Sequence, residues 1–147
     1  MEEKKRILIV EDERAIVEIL KFNLMREGYD TLEALDGELG LELAQTKDPD
    51  LILLDIMMPG LNGMDAAREI RGFDKAADII FLTSSPGFAY DSYSVKALEY
   101  LLKPIRTKTL YPILDRLELR ERRPQEALTL RTGGIIVRVP FSQLTYV

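Results

Sequence analysis

The sequence predicts an α/β protein in which a parallel β-sheet is covered by helices on both faces. Short aliphatic runs such as residues 7–10 and 51–54 are typical of strands that are buried on both faces. Apolar strands alternate with segments in which apolar residues recur at helical spacing, and this alternation is typical of parallel sheets. The predicted strands are 7–10, 29–34, 51–54, 79–82 and 100–102, and the predicted helices are 13–27, 38–46, 64–71, 90–97 and 108–122.

The first strand, 7–10, consists of four aliphatic residues. Helix 13–27 follows, because its apolar residues recur at helical spacing and Gly28 supplies a stop signal. The second strand, 29–34, is less apolar, and the Asp36-Gly37 pair precedes the next helix. Gly40 weakens that helix by about 1 kcal/mol relative to alanine.

The segment Asp48-Pro49-Asp50 breaks the chain before the third strand. The loop after that strand carries Pro59-Gly60 and Asn62-Gly63, which are both strong turn signals. Helix 64–71 and the aliphatic strand 79–82 come next. These elements continue the alternation of strand and helix.

The last strand and helix complete the alternation. Helix 90–97 precedes the short strand 100–102, and helix 108–122 carries Pro112 in about its first turn, where proline is best tolerated. Residues 127–139 contain two apolar stretches around Gly133-Gly134 and predict a β-hairpin. The tail therefore differs in kind from the α/β part of the chain.

Composition limits the possible functions. The chain has 147 residues and 31% charged residues, a length and balance typical of one globular domain with a short appendage. It contains no cysteine and no histidine, which excludes disulfides, thiolate nucleophiles and Ser-His-Asp triads. Its net charge of −5 argues against nucleic-acid binding by this piece alone. No segment predicts a membrane span or a secretion signal.

Polar residues follow four of the predicted strands: Glu11, Asp12, Asp55, Thr83 and Lys103. In an open α/β sheet, ligands bind in the crevice outside the carboxyl ends of the strands. These five residues are therefore expected to meet at one edge of the sheet. Each residue alone can also be explained by a purely structural role, as part of a helix N-terminus, a turn former, a cap or a loop lysine. These separate structural roles do not predict that the residues meet.

A cluster of three carboxylates without histidine or cysteine suits Mg²⁺. Asp55 is placed as a nucleophile toward phosphorus, which would give an aspartyl phosphate. Lys103 would neutralise a phosphoryl oxygen in the transition state, and the Thr83 hydroxyl could hydrogen-bond to the phosphoryl group.

Residues 4–122 resemble the receiver domain of two-component response regulators. The motifs are VEDE at 10–13, LLDIMMPGLNG at 53–63, FLTSS at 81–85 and YLLKP at 100–104. The resemblance implies a flavodoxin-like (βα)5 fold with sheet order 2-1-3-4-5. It also implies a phosphorylation-controlled switch, rather than an enzyme, that is found in the cytoplasm.

The resemblance also assigns roles to individual residues. It makes Asp55 the acceptor of a phosphoryl group from a sensor histidine kinase. It implies Mg²⁺ ligation by Asp12 and Asp55, by the Met57 carbonyl, and by Glu11 through water. Thr83 and Lys103 match the residues that sense and neutralise the phosphoryl group, and Thr83 with Tyr100 matches the family's switch pair. The family's Lys-Pro bond is cis, which implies the same for Lys103–Pro104.

Two segments indicate a subfamily. Residues 89–100 (AYDSYSVKALEY) resemble receivers that precede a LytTR DNA-binding domain, and 128–140 (LTLRTGGIIVRVP) resemble the opening strands of that domain. Residues 4–63 look more like receivers of winged-helix regulators. The expected organisation is a receiver domain at 1–123, then at 124–147 a linker and the start of a truncated LytTR-like domain. DNA would be contacted only through the missing part, and a homodimer would form through the fourth helix, fifth strand and fifth helix or through the hairpin.

Three other functions compete with that of a phosphorylated receiver, and the residues argue against the first two. An aspartyl-phosphate phosphatase of the haloacid dehalogenase type needs a second carboxylate two residues after the nucleophile, where this chain has Met57. A flavodoxin-like FMN carrier needs a hydroxyl- and glycine-rich loop after the first strand, where this chain has Glu11-Asp12-Glu13. A receiver used only as an unphosphorylated interaction module stays open.

Overall fold

The computed structural model describes residues 4–84 and 93–118, together with the backbone of 129–130 and 137–138. The chain forms two compact units, Met1–Thr109 and Leu110–Val147. The first unit contains the main sheet and every residue that the sequence singled out as a site residue. Each unit is therefore described by itself.

The main sheet has five strands in the order β2-β1-β3-β4-β5, and every neighbouring pair is parallel. This confirms the predicted α/β class and strand order. The strands are β1 (Arg6–Val10), β2 (Asp30–Ala34), β3 (Leu51–Asp55), β4 (Asp78–Thr83) and β5 (Glu99–Leu102). Asp55 and Thr83 are thus the last residues of their strands rather than the first residues after them.

The helices of the first unit connect these strands. They are α1 (Arg14–Arg26), α2 (Gly37–Lys47) and α3 (Gly63–Phe73), within about two residues of their predicted ends. Asp36 caps α2 by accepting a hydrogen bond from the Leu39 N–H at 2.8 Å. Asn62 caps α3 in the same way through the Asp65 N–H at 2.9 Å.

The predicted helix at 90–97 differs from the structure. Its described part contains a single 3-10 turn, Tyr93–Val95. Lys96 has a left-handed backbone with φ 55°, which cannot continue a right-handed helix. Residues 90–92 of this prediction lie outside the described residues.

The central strands are buried, as their aliphatic runs predicted. Ile7, Leu8, Ile52, Leu53 and Ile79 are all fully buried. On one face, a cluster of side chains from β1, β3 and β4 packs with Ala44 of α2 and with Ala66, Ala67 and Ile70 of α3. The sheet is therefore a rigid support for the residues at its carboxyl edge.

Two glycines allow close approaches near that edge. A Cβ at Gly40 would lie 2.7 Å from Val10 Cγ1, so glycine lets α2 approach β1 closely. A Cβ at Gly63 would overlap the Asp55 carbonyl oxygen, so glycine lets α3 begin against the end of β3. Gly40 is thus required by packing, although sequence reasoning found only its cost to the helix.

Helix α4 (Thr107–Glu118) crosses from the first unit into the second. Its apolar residues Leu110, Ile113 and Leu114 are buried, as their spacing predicted. Pro112 is the sixth residue of α4 and lies in the second turn rather than in about the first, so the Lys108 carbonyl lacks its usual helical donor. None of the described helices is long and apolar enough to cross a membrane.

The tail contains two short strands, β6 (Thr129–Leu130) and β7 (Val137–Arg138), which pair in antiparallel register. The Gly133-Gly134 turn of the predicted hairpin lies outside the described residues. The hairpin and the domain boundary at 123 stay predictions.

Candidate functional site

The carboxyl ends of four strands place the site. Glu11 and Asp12 follow β1, Asp55 ends β3, Thr83 ends β4 and Lys103 follows β5. The pairing of β4 with β5 is continued by the Lys103 N–H, which donates to the Thr83 carbonyl at 2.8 Å. All of these residues therefore lie at one edge of the sheet, as the alternation of strands and helices predicted.

Lys103 brings two carboxylates together. Its Nζ lies 2.9 Å from Glu11 Oε1 and 3.3 Å from Asp55 Oδ1. Both carboxylates are almost fully buried, with side-chain exposures of 0% and 3%. Burial disfavours the charged ammonium, but the hydrogen bond that Lys103 donates to Glu11 and the attraction to Asp55 outweigh that effect, so the pKa of Lys103 is raised.

Asp55 is held in an environment that disfavours its charge. Burial, and then repulsion from Glu11, raise the pKa of Asp55 to about 7. Attraction and a hydrogen bond from Lys103, together with the Met57 N–H, lower it in part. The Met57 N–H donates to Asp55 Oδ1 at 3.3 Å. The site thus carries more negative charge than its one ammonium balances.

Glu11, Asp12 and Asp55 form a group in which one carboxylate oxygen from each residue lies within 4.8 Å of the others. Asp12 is exposed, so the group opens to solvent on its side. Three carboxylates opposite one ammonium leave a surplus of negative charge that a divalent cation would balance. An oxygen-only donor set fits a hard cation, and the residues present therefore suit the predicted metal.

Backbone hydrogen bonds hold the surrounding loops. The Glu13 N–H donates to Glu11 Oε2 at 3.1 Å, which keeps the Glu11 side chain turned inward at the start of α1. The Ile56 N–H donates to the Leu82 carbonyl at 3.0 Å, and the Gly63 N–H donates to the Ile56 carbonyl at 3.0 Å. The loop that follows Asp55 is therefore tied to β4 and closed on itself.

The remaining predicted site residues are placed as follows. Thr83 is fully buried at the end of β4. Tyr100 is partly buried on β5, opposite Phe81, and packs against the core cluster. Met57 exposes 59% of its surface beside a groove of about 470 Å³. The Lys103–Pro104 bond is cis, as the resemblance implied.

The ion pair between Glu11 and Lys103 was not foreseen. The sequence predicted that Glu11 helps to hold a metal and that Lys103 neutralises a phosphoryl oxygen. It did not predict an ion pair between these two side chains. Strands β3 and β4 lie between β1 and β5. The ion pair therefore depends on how far two long side chains reach across the sheet edge, and strand order alone does not determine that.

Comparison with known proteins gives consistent matches to one family. A model of the response regulator receiver domain matches residues 7–115. The alkaline phosphatase synthesis transcriptional regulatory protein PhoP of Bacillus subtilis (strain 168) is 45% identical over 80 residues, which are 54% of this chain and 33% of PhoP. The chain therefore spans about a third of the length of that relative.

Solved structures agree with the fold. Response regulator TrrA of Thermotoga maritima, in complex with Mg²⁺-BeF, is 41% identical with a TM-score of 0.71, covering 77% of this chain and 98% of TrrA. Chemotaxis protein CheY4 of Vibrio cholerae is 29% identical with a TM-score of 0.73, covering 78% of this chain and 99% of CheY4. Each likeness covers more than three quarters of this chain and nearly all of the other protein's chain.

Proposed function

Because this chain belongs to the response regulator receiver family, we propose that it is a phosphorylation-controlled switch whose phosphoacceptor is Asp55. The observation that carries the proposal is the position of Asp55. Its buried carboxylate lies 3.3 Å from the Lys103 ammonium and in one group with Glu11 and Asp12. A nucleophilic carboxylate, a cation donor and a metal-binding set at one point are what phosphoryl transfer to an aspartate requires.

In the proposed reaction, a carboxylate oxygen of Asp55 attacks the phosphorus of a phosphohistidine on a sensor kinase. The new O–P bond forms as the P–N bond breaks, and the electron pair of that bond returns to the imidazole nitrogen. Lys103 lies beside Asp55 and would balance charge on a phosphoryl oxygen. The Thr83 hydroxyl would donate a hydrogen bond to the phosphoryl group once it is attached.

Asp12, Asp55 and the Met57 carbonyl, with Glu11 through water, would hold Mg²⁺. When bound, the ion supplies positive charge that favours ionised Asp55 and offsets the charge of the phosphoryl oxygens. TrrA, which is 41% identical to this chain, has been crystallised in complex with Mg²⁺-BeF, and this supports the choice of Mg²⁺ here.

Intact-mass measurement after incubation with acetyl phosphate tests the proposal. Wild type should gain one phosphoryl group only when Mg²⁺ is present, and Asp55→Asn should gain none. Asp115→Asn replaces an exposed aspartate of α4 and should be labelled like wild type. If a folded wild type that binds Mg²⁺ gains no phosphoryl group even from a kinase, the chain is an interaction module rather than a phosphoacceptor.

The proposal extends to the signalling context. Phosphorylation would shift an existing two-state equilibrium that involves Thr83 and Tyr100, and would thereby control transcription through an output domain. The name of the PhoP relative, a transcriptional regulatory protein, supports that output. We propose a receiver over 1–123 and, over 124–147, a linker and the opening strands of a LytTR-like domain, the remaining part of which would bind DNA.

The same proposal places the protein in the cytoplasm, acting through its kinase rather than as an enzyme in its own right. A homodimer would form through the predicted fourth helix, fifth strand and fifth helix, or through the predicted C-terminal hairpin. Size-exclusion chromatography with and without acetyl phosphate separates the two, because only the first depends on phosphorylation.

A further inference from the structure

Arg71, near the end of α3, joins three segments of the first unit. Its Nε donates to the Val95 carbonyl at 2.7 Å, and its Nη2 donates to the Lys96 carbonyl at 3.2 Å. Its Nη1 donates to the carbonyls of Asp74 at 3.1 Å and Ala77 at 2.8 Å. One side chain therefore binds the end of α3, the residue before β4 and the chain that leads into β5.

The bond pattern suits arginine rather than lysine. A guanidinium has five N–H donors in a fixed planar arrangement and can satisfy several carbonyls at once. A lysine ammonium is a compact point charge on a flexible stem and cannot reproduce this arrangement. The contacts with Val95 and Lys96 reach 24 and 25 residues along the chain, so they are tertiary contacts and not a local helix cap.

The segment that Arg71 binds leads directly into β5. Val95 is buried in the core cluster, and Lys96 turns the backbone with φ 55°. The Leu98 N–H then donates to the Ile79 carbonyl at 2.7 Å, one residue before β5 begins. The path from the Arg71 contacts to the first residue of β5 is therefore short and fixed at both ends.

The register of strand β5 decides where Lys103 lies. β5 is a four-residue edge strand whose partner in the sheet is β4. A slip of one residue along β4 would move β5 by about 3.3 Å and turn each side chain to the opposite face. Tyr100 would leave the core cluster, and Lys103 would move away from Glu11 and Asp55.

We infer that Arg71 is a positioning residue for phosphoryl transfer, because it fixes the start of β5 and thereby the place of Lys103 at the acceptor carboxylate. The inference rests on the proposed function for its catalytic consequence. Its structural part, the placement of β5, stands on the hydrogen bonds of Arg71 alone. The carboxylates that would hold the metal follow β1 or end β3, and neither strand is bound by Arg71.

The test compares Arg71→Met and Arg71→Lys with Arg68→Met in the full chain. Arg68 lies one turn earlier on α3, is exposed and pairs with Asp65 at 2.9 Å, so it controls for the loss of an arginine from this helix. The readouts are the rate of labelling by acetyl phosphate, the affinity for Mg²⁺, and amide hydrogen exchange in β5 and β1 of the metal-free protein.

We expect Arg71→Met to label more slowly by on the order of tenfold to a hundredfold, the effect of a small misplacement of a catalytic group. Mg²⁺ affinity should be retained. Amide protection should fall in β5 and at Lys103, whose N–H donates to Thr83, but not in β1. Arg71→Lys should lie between wild type and Arg71→Met, and Arg68→Met should match wild type.

Other outcomes would overturn the inference. If protection falls equally in β1 and β5, or if labelling slows only in proportion to Mg²⁺ affinity, Arg71 contributes general stability and does not position Lys103. Unchanged protection in β5 would also refute it. If Arg71→Met does not fold, Arg71→Lys decides by the same criteria. If wild type is not labelled at all, the proposed function fails, and hydrogen exchange still decides the placement of β5.

Discussion

At the level of single residues, the charge of Asp55 is the main source of pH dependence at the site. Its carboxyl group is buried beside Glu11, and its pKa is raised from 3.8 to about 7. The folded protein therefore binds a proton there more tightly than the unfolded chain does. The contribution of this group to stability is present below about pH 4 and is lost as the pH rises toward 7.

We therefore expect Asp55→Asn to stabilise the metal-free protein at pH 8, because the amide has no charge that burial would strip of water and none that would repel Glu11. The gain in the free energy of unfolding over wild type should be on the order of 1–4 kcal/mol at pH 8 and should shrink toward pH 4. Urea denaturation in EDTA at several pH values measures it. A gain that is equal at all pH values would show that charge at Asp55 is not the cause.

Because Met57 lies close to the phosphoacceptor in sequence, its side chain is expected to make the loss of the phosphoryl group from Asp55 slow. Its side chain lies two residues after Asp55 and exposes 59% of its surface, and a thioether is a weak acceptor that cannot hold an attacking water. Met57→Asn should therefore lose its phosphoryl group several times faster than wild type, as measured by intact mass over time. Met25→Asn, at a methionine with 55% exposure on α1, should decay like wild type. A wild type that decays faster than Met57→Asn would contradict the prediction.

Residue types and strand ends were enough to predict which side chains meet at the site. The sequence identified Glu11, Asp12, Asp55, Thr83 and Lys103, and the structure places all of them at one edge of the sheet. The sequence did not predict that Lys103 forms an ion pair with Glu11, or that Arg71 donates hydrogen bonds to four carbonyls. Those contacts depend on side-chain conformations and on chain paths between elements, which residue patterns do not encode.

At the level of elements, the contact between α2 and β1 explains why a glycine lies inside a helix. The sequence predicted α2 in spite of Gly40, and the structure shows that a Cβ there would lie within 2.8 Å of both methyl groups of Val10. The local preference for alanine and the tertiary packing therefore oppose each other at this position. Packing decides the residue because Val10 is a buried, β-branched side chain with little freedom to move.

This opposition gives a paired prediction. Gly40→Ala should lower the free energy of unfolding by about 1–3 kcal/mol, because overpacking outweighs the gain in helix propensity. Gly72→Ala in α3 should raise it by about 0.5–1 kcal/mol, since a Cβ there meets nothing within 4 Å. Urea denaturation of both variants measures the difference. Stabilisation by Gly40→Ala would mean that α2 can shift away from β1 at little cost.

The boundaries of the elements were predicted well where apolar runs are long and poorly where single residues decide. Strands β1, β3 and β4 lie where the aliphatic runs are. In the described part of the predicted helix at 90–97 the structure has only the 3-10 turn Tyr93–Val95, and the left-handed backbone of Lys96 ends that turn. A lysine in the sequence does not indicate a left-handed backbone, whereas a glycine at that position would have indicated one.

At the level of the whole molecule, the surplus of acid at the sheet edge predicts coupling between metal binding and stability. A ligand that binds only the folded chain stabilises it by about 1.4 kcal/mol at ten times its dissociation constant. Mg²⁺ should therefore raise the melting temperature of wild type, measured against NaCl of equal ionic strength. Asp12→Asn should lose the effect and Asp115→Asn should keep it. An equal rise in the Asp12 variant would place the ion elsewhere.

The order of the strands has a consequence for when the site becomes complete during synthesis. The carboxylates belong to β1 and β3, which are neighbours in the sheet, whereas the ammonium follows β5, the last strand of that sheet. A growing chain thus acquires its acidic residues about fifty positions before the lysine that balances them. Because β5 joins through β4 alone, readiness to accept a phosphoryl group belongs only to the finished sheet. The ability to be labelled would therefore report that folding has reached its last strand.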